Sequence, residues 1–144
     1  MNIRRFETND MAAVIQLANE YAEFDASITE ADLAISRSFP DGLIVAEDCG
    51  HILGFVFGHP RDVPAAALER WGATSTGYVE LLAVHPNYRN RGIGTRLVKE
   101  LFGAFKRAGV DYVTLHCPAE AGEAKRVYEE LGFHVLAYEM GMKL

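Results

Sequence analysis

A basic turn punctuated by glycines lies near the middle of the 144-residue chain, between Arg89 and Thr95. It joins an apolar stretch to a stretch with helical spacing. Arg89 and Arg91 bring positive charge to the turn. Gly92 and Gly94 allow the backbone to approach a ligand closely. Because the first N–H groups of a helix have no intrahelical acceptor, these residue types in this order favour a site for an anion such as a pyrophosphate.

Two common nucleotide-binding motifs do not fit this turn. A dinucleotide-binding fingerprint needs a third glycine three residues after Gly94, where the chain has Leu97. A Walker A loop needs four residues between its glycines and then a Gly-Lys pair, whereas only Ile93 separates the glycines here. The turn therefore favours a diphosphate that is bound outside both of these motifs.

The elements around the turn predict one mixed α/β domain over residues 1–144. Strands are expected over 3–6, 43–47, 52–58, 78–84, 110–116, 133–137 and 139–143. Helices are expected over 11–21, 95–108 and about 119–131, with a further short helix beginning near residue 29. The segment 59–76 is the least readable, and it could equally contain a short helix beginning at Pro64 or be a mobile excursion. The element order is βααβββαβαββ, and no repeat or linker interrupts it.

Two motifs and this element order resemble the GNAT acyltransferase superfamily. The Arg-x-x-Gly-x-Gly order at Arg89, Gly92 and Gly94 resembles the acetyl-coenzyme A signature of that family. The segment around Tyr128, Val-Tyr-Glu-Glu-Leu-Gly-Phe, resembles the end of the family's last long helix. The resemblance covers essentially the whole chain. It implies the GNAT fold, with a central, mostly antiparallel twisted sheet flanked by helices.

The resemblance implies acetyl-coenzyme A as the co-substrate. In the family, the turn binds the pyrophosphate mainly through backbone amides, and the strand before it pairs with the pantetheine arm. The arm enters where this strand splays away from the strand at 110–116. Family members commonly carry an Asn at the position of Ala121, so we expect altered cofactor affinity here. The expected cofactor contacts are Leu82, Ala83, Val84, Arg89, Asn90, Arg91, Gly92, Ile93, Gly94 and Thr95.

Acyl transfer to an amine needs a base and an acid, because the amine must lose a proton and the departing thiolate gains one. Glu80 interrupts the apolar stretch 78–84, and family members with Glu at this position use it as a base, often through water. Tyr128 matches the family's general acid, a role that suits a phenol with a reference pKa of about 10. From the residues alone, Glu80 could instead face solvent or pair with an arginine. Tyr128 could be a core aromatic at helical spacing from Ala124 and Leu131.

The acceptor pocket is expected between the first helical pair and the final hairpin. Tyr21, Phe24 and Asp25 are the expected substrate contacts, because aromatic surface and carboxylates suit an amine that carries further positive charge. A solvated loop would have the same composition. Small polyamines, amino acids, protein N-termini and lysine side chains therefore all stay open as acceptors.

Composition sets the remaining expectations. A net charge of −6 argues against broad nucleic-acid binding, and no apolar run approaches the roughly 20 residues of a membrane span. The first residues lack the apolar stretch of a signal peptide, so we expect a cytoplasmic protein. No metal site is expected, since no histidine has a partner at a helical ligand spacing. His116 could face the site from a strand end, and a homodimer stays open.

Together these patterns predict an enzyme, an N-acetyltransferase that transfers the acetyl group of acetyl-coenzyme A to a primary amine by direct attack in a ternary complex. The alternative is a non-catalytic acyl-coenzyme A sensor or interaction module of the same fold. Glu80 and Tyr128 together favour catalysis, and Ala121 argues slightly for the alternative. The acyl chain length and the role of residues 59–76 are not determined.

Overall fold

The computed structural model describes residues 1–22 and 27–144, and its centre is a five-stranded sheet. The strands are β1 (Asn2–Arg5), β2 (Leu43–Asp48), β3 (His51–Pro60), β4 (Thr76–Val84) and β5 (Tyr112–Leu115). The α-helices are α1 (Met11–Tyr21), α2 (Ala65–Trp71), α3 (Ile93–Arg107) and α4 (Gly122–Glu130). Short 3₁₀ helices lie at Thr8–Asp10, Glu30–Arg37, Pro40–Gly42 and Pro86–Tyr88.

The strands lie in the sheet in chain order, from β1 to β5. The first three pairings are antiparallel, and only β4 and β5 are parallel. The expected mostly antiparallel sheet is therefore confirmed. Cys49 and Gly50 both have positive φ in the turn between β2 and β3, as a tight hairpin requires.

The core has two layers, one on each face of the sheet. On β2, Ile44 and Ala46 pack toward α3, while Leu43 and Val45 pack toward α1. This alternation is the period of two that a strand buried on both faces produces. The apolar stripe of α3 covers one face with Ile93, Leu97, Val98, Leu101, Ala104 and Phe105.

A β-bulge in β4 sets the side-chain directions near the site. Phe57 pairs with Leu81 and the next residue of β3, Gly58, pairs with Val79, so Glu80 is the extra residue of the bulge. Val79 consequently packs in the α3 layer, whereas Leu81 packs in the α1 layer. In a regular strand, residues two apart would share a face.

The two parallel strands part halfway along β4. Thr76 to Val79 pair with β5, and the register ends where Val79 faces Leu115. Residues 80–84 continue the strand with β3 on one side and no β5 partner on the other. Pairing with β5 thus ends at the place where the family resemblance predicts that the two strands splay apart.

Several boundaries differ from the sequence prediction. Helix α3 begins at Ile93 rather than at residue 95, because Gly92 takes φ 77° and serves as its N-cap. The expected helix near residue 29 is a 3₁₀ helix, in which Asp32 accepts hydrogen bonds from the backbone N–H and hydroxyl of Thr29. The short helix after Pro64, which the sequence left as one of two interpretations, is present as α2.

The two closing strands expected over 133–137 and 139–143 are not formed. Residues 133–144 have no regular secondary structure, and no strand lies beside them. The closing ββ of the predicted order is therefore wrong for the described chain. Alternating apolar residues become a strand only where another backbone pairs with them and covers the apolar face.

Candidate active site

The arginine-glycine turn is held in place by contacts of Arg89. Its Nε donates a hydrogen bond to the carbonyl oxygen of Val84 over 3.0 Å, which ties the turn to the end of β4. Its Nη1 lies 3.2 Å from a carboxylate oxygen of Glu123 at the start of α4. Helix α3 follows directly, so the N–H groups at its first turn are available to a ligand. Arg89 thus positions the turn as well as bringing charge.

A cavity of about 570 Å³ lies beside the end of β4 that has no β5 partner. The end of β4, the turn and the first residues of α3 form one wall, and α4 forms the other. The expected cofactor contacts that line the cavity are Leu82, Ala83, Val84, Arg89, Asn90, Gly92, Ile93, Gly94 and Thr95. Arg91 is the exception, because its guanidinium lies over the ring of Tyr88, 5.3 Å from the centroid.

Helix α4 brings charged residues to this cavity that sequence reasoning missed. Arg126 lines it and donates a hydrogen bond from Nη2 to the side-chain oxygen of Asn90 over 2.9 Å. Glu120, Glu123 and Glu130 line the same wall. The helix was predicted, but its charge pattern alone does not say which side faces the turn. Ala121, the departure from the family pattern, is buried and also lines the cavity.

A second, much smaller cavity of about 30 Å³ adjoins the first. Leu82, Ala121 and Ala124 line both cavities, which makes them neighbours. Glu80 and Tyr128 both line the small one. The carboxylate and the phenol that sequence analysis singled out, 48 positions apart in the chain, therefore meet at one place.

His59 on β3 is a partner of Glu80 that the sequence did not reveal. Its Nε2 lies 2.8 Å from Glu80 Oε1, and its Nδ1 lies 2.9 Å from the carbonyl oxygen of Pro60. A carbonyl oxygen only accepts, so Nδ1 carries a proton. If Glu80 is ionised, Nε2 must donate as well, and His59 is then an imidazolium. The hydrogen bond to Glu80 raises the pKa of His59 above its ordinary value, against the opposing effect of burial.

The hydroxyl of Tyr128 is held in a nearly dry environment. The residue is 8% exposed, and its ring packs edge to face on Phe133 with the centroids 5.6 Å apart. Burial raises the pKa of Tyr128 well above the ordinary value of a phenol. The phenol therefore keeps its proton at neutral pH, and the residue lines the small cavity.

A second tyrosine and histidine lie beside Glu80. The hydroxyl of Tyr78 is 2.6 Å from Nδ1 of His116, and the guanidinium of Arg61 lies 4.4 Å from the centroid of the Tyr78 ring. Burial, and then the charge of Glu80, raise the pKa of Tyr78. His116 also lines the small cavity, so the sequence-based suggestion that it faces the site agrees with its position.

The expected acceptor contacts fall in different places. Tyr21 lies at the end of α1, lines the large cavity and packs edge to face on His85, with the ring centroids 5.3 Å apart. Phe24 and Asp25 lie outside the described residues. Tyr21 thus lines the large cavity and not the small one, and its role with the acceptor stays a prediction.

Two kinds of feature are absent from the described ranges. Within residues 1–22 and 27–144, no group of three histidine, cysteine or acidic side chains is arranged to hold a metal ion. In the same ranges, no helix has the length and apolar character that crossing a membrane requires.

The comparison with protein families decides which fold family this geometry represents. The model of the "Acetyltransferase (GNAT) family" matches residues 11–133. This chain belongs to the GNAT acetyltransferase family. The match includes the turn, the bulged strand, and both Glu80 and Tyr128.

Individual relatives agree with this membership. The chain is 31% identical over 108 residues to the L-2,4-diaminobutyric acid acetyltransferase of Nocardia farcinica, which covers 75% of this chain and 51% of that protein. It is 29% identical over 139 residues to the uncharacterized N-acetyltransferase YhfO of Bacillus subtilis, with 92% and 89% covered. The chain thus spans about half of the first relative and most of the second.

A solved structure shares the fold. The crystal structure of the NatC complex bound to Gag peptide and CoA contains a chain that superposes with a TM-score of 0.79 at 16% identity. The superposition covers 94% of this chain and 86% of that one. At this level of identity, the similarity concerns the fold alone.

Proposed function

We propose that this chain is an acetyl-coenzyme A-dependent N-acetyltransferase that transfers the acetyl group to a primary amine by direct attack in a ternary complex. The observation that carries the proposal is the pair of adjoining cavities. The anion-binding turn borders the large cavity, and a carboxylate and a protonated phenol border the small one. A pantetheine arm that follows the free edge of β4 from the turn would bring a thioester to the boundary between them.

The described residues fit a ligand of this kind. The large cavity has a volume within the usual range of ligand sites. The first N–H groups of α3, together with Arg89 and Arg126, suit a diphosphate through charge-assisted hydrogen bonds. Residues 82–84 have backbone groups without a β5 partner, which suits the amides of the arm. Acetyl-coenzyme A supplies the activated acetyl group as a thioester.

The proposed roles of the side chains follow from the proton balance. The amine nitrogen forms a bond to the thioester carbonyl carbon, and the bond from that carbon to sulfur breaks. Glu80, held by His59, accepts the proton that the amine loses, through a water molecule. Tyr128 donates a hydrogen bond or a proton to the departing sulfur.

The acceptor is proposed to be a primary amine on a small molecule, a peptide N-terminus or a lysine side chain. Deprotonating a lysine at neutral pH costs on the order of 4 kcal/mol, and an α-amine costs about 1 kcal/mol, from their reference pKa values. A lysine or polyamine acetylator should therefore depend more strongly on Glu80. Tyr21, Phe24 and Asp25 remain the proposed acceptor contacts, and a cytoplasmic location without nucleic-acid or membrane partners completes the proposal.

Two measurements test this function. Isothermal titration calorimetry with acetyl-coenzyme A should give saturable binding, and its absence would rule out the cofactor assignment. Thiol release should then be followed with a panel of polyamines, amino acids, dipeptides and proteins, with coenzyme A formation dependent on the amine. Saturable binding without release for any amine would favour the non-catalytic sensor instead.

A further inference from the structure

Arg61 is a positively charged residue that has no carboxylate partner in the described part of the chain. It comes directly after the last residue of β3, and it is exposed. Its guanidinium lies 4.4 Å from the centroid of the Tyr78 ring. Within residues 1–22 and 27–144, no acidic side chain forms an ion pair with it, including that of the adjacent Asp62. By contrast, Arg89 at the turn has its carboxylate partner in Glu123.

Arg61 lies at the same end of the site as Glu80. The hydroxyl of Tyr78, whose ring lies under the guanidinium, is 2.6 Å from Nδ1 of His116. His116 and Glu80 both line the small cavity. Burial, and then the charge of Glu80, raise the pKa of Tyr78, and the charge of Arg61 opposes them. Both charged side chains are therefore close to this one ring.

The balance of charge beside the small cavity leaves Arg61 uncompensated. When Glu80 is ionised, its charge is offset by the imidazolium of His59, which lies 2.8 Å away. One negative and two positive groups then lie together, and the remaining positive charge is that of Arg61. An acceptor that brings only positive charge is repelled by such a group. An acceptor that also carries a negative group is attracted to it.

The position of the guanidinium suits a carboxylate in particular. Stacking on the ring of Tyr78 occupies a face of the guanidinium plane, whereas its N–H donors lie along the edge. Those donors form a planar fork that binds both oxygens of a carboxylate. Because Arg61 is exposed, a ligand can reach these donors without displacing a protein partner among the described residues.

We propose that Arg61 binds a carboxylate of the acceptor, so that the substrates are primary amines that also carry a carboxylate. This inference rests on the proposed N-acetyltransferase function and narrows its substrate class. The carboxylate belongs either to a free amino acid or to the side chain of an acidic residue at a peptide N-terminus. Arg61 then determines specificity and takes no part in proton transfer. Polyamines, which carry only positive charge, are poor acceptors.

Matched pairs of acceptors test this role through thiol release. Glycine against glycinamide and β-alanine against β-alaninamide test the free amino acid, and peptides that begin with Asp against Asn test the peptide. For the source that the site accepts, Arg61→Gln should lower kcat/KM about tenfold for the carboxylate member and less than twofold for the amide member. Each ratio compares two enzymes on the same acceptor, so differences in the pKa of the amines cancel.

Control variants separate this contact from a general effect. Arg70→Gln removes the same charge from α2, where the guanidinium lies 5.9 Å from the centroid of the Trp71 ring, and should leave every ratio unchanged. Arg61→Lys keeps the charge without the planar fork and should lose about threefold. The Kd for acetyl-coenzyme A should be the same in all variants.

The outcomes distinguish this inference from the proposed function. Equal losses on both members of a pair in Arg61→Gln would indicate that Arg61 only supports Tyr78, and would overturn the inference. Unchanged ratios in every pair, or polyamines as the best acceptors of the wild type, would overturn it as well. In each of these cases the enzyme still acetylates amines. Absence of thiol release with every amine would overturn the proposed function, and the inference with it.

Discussion

The two walls of the candidate site are built in different ways. The wall that is proposed to bind the cofactor, here the cofactor wall, comes from residues between 82 and 95, one continuous piece of chain. The wall that is proposed to carry the chemistry, here the catalytic wall, takes Glu80 from β4, His59 from β3, His116 from beyond β5 and Tyr128 from α4. Binding of a diphosphate by backbone amides can be encoded locally. Proton transfer between side chains requires residues that only tertiary contacts bring together.

This difference predicts a separation of effects. Changes in the catalytic wall should lower kcat and leave the affinity for acetyl-coenzyme A nearly unchanged. Changes at the charged groups around the turn should do the reverse. Mutant kinetics distinguish the two, because a group that acts only in the transition state changes kcat without changing ground-state binding.

The largest effect is expected for Glu80→Gln. The amide cannot accept the proton of the amine, so kcat at neutral pH should fall by about 100-fold or more. Calorimetry should give an unchanged Kd for acetyl-coenzyme A. Glu100→Gln, on the exposed side of α3, is the matched control and should keep the wild-type kcat. A Glu80→Gln rate within about twofold of wild type would remove Glu80 as the base.

Tyr128→Phe should lower kcat by about tenfold with little change in Kd. The effect is smaller because a thiol has a reference pKa of about 8.5, so the thiolate already leaves readily. Tyr112→Phe is the control, since Tyr112 stacks on Trp71 with the ring centroids 4.8 Å apart and lines neither cavity. Equal losses of kcat and affinity in Tyr128→Phe would instead indicate a packing role.

Arg126→Gln should test the charged groups around the turn, where a change is expected to affect cofactor affinity rather than kcat. Loss of a partly solvated charge-assisted contact should raise the Kd for acetyl-coenzyme A about fivefold, with kcat at saturation unchanged. Lys125→Gln removes the same charge from the neighbouring residue, which pairs with Glu129 and does not line the cavity. If both variants weaken binding equally, the overall positive charge of α4 attracts the cofactor, and a specific contact of Arg126 does not.

The smallest expected effect is a pH-dependent change in the free energy of unfolding. The pKa of His59 is raised in the folded state, so its pairing with Glu80 stabilises the fold fully below the unfolded pKa of about 6.5. That contribution is lost as the pH rises through the folded pKa. Urea unfolding should therefore show that His59→Gln loses more stability at pH 6 than at pH 9, by under about 1 kcal/mol. His134→Gln, at an exposed position, should show no such dependence.

The elements that the sequence predicted correctly are those with a strong local pattern. The apolar stripe of α3 and the alternation of β2 each repeat over several residues. The type of each element could therefore be predicted without knowing which elements pack against it. The closing strands were predicted from the same kind of alternation and are not formed. Their alternation is present in the sequence, but a strand needs a second backbone, and no described part of the chain pairs with them.

The catalytic wall also shows that local sequence patterns do not predict contacts between distant residues. Glu80 stood out because a carboxylate interrupts an apolar stretch, yet its partner His59 lies in the segment that was hardest to assign. The pair depends on a bulge that shifts the register between β3 and β4 by one residue. No residue type around Glu80 predicts that bulge, so the sequence could not identify His59 as the partner of Glu80.

The sequence by itself indicated the glycine-rich basic turn, most of the elements up to α4 and the family, because these signals depend on residues that are neighbours in the chain. Only the tertiary structure decided where the pairing of β4 with β5 ends, the His59–Glu80 contact and the common cavity of Glu80 and Tyr128. Among the described residues, it also left one edge of the sheet and the apolar segment after α4 without a strand partner. These features depend on strand register and on packing between distant residues, which local preferences do not specify.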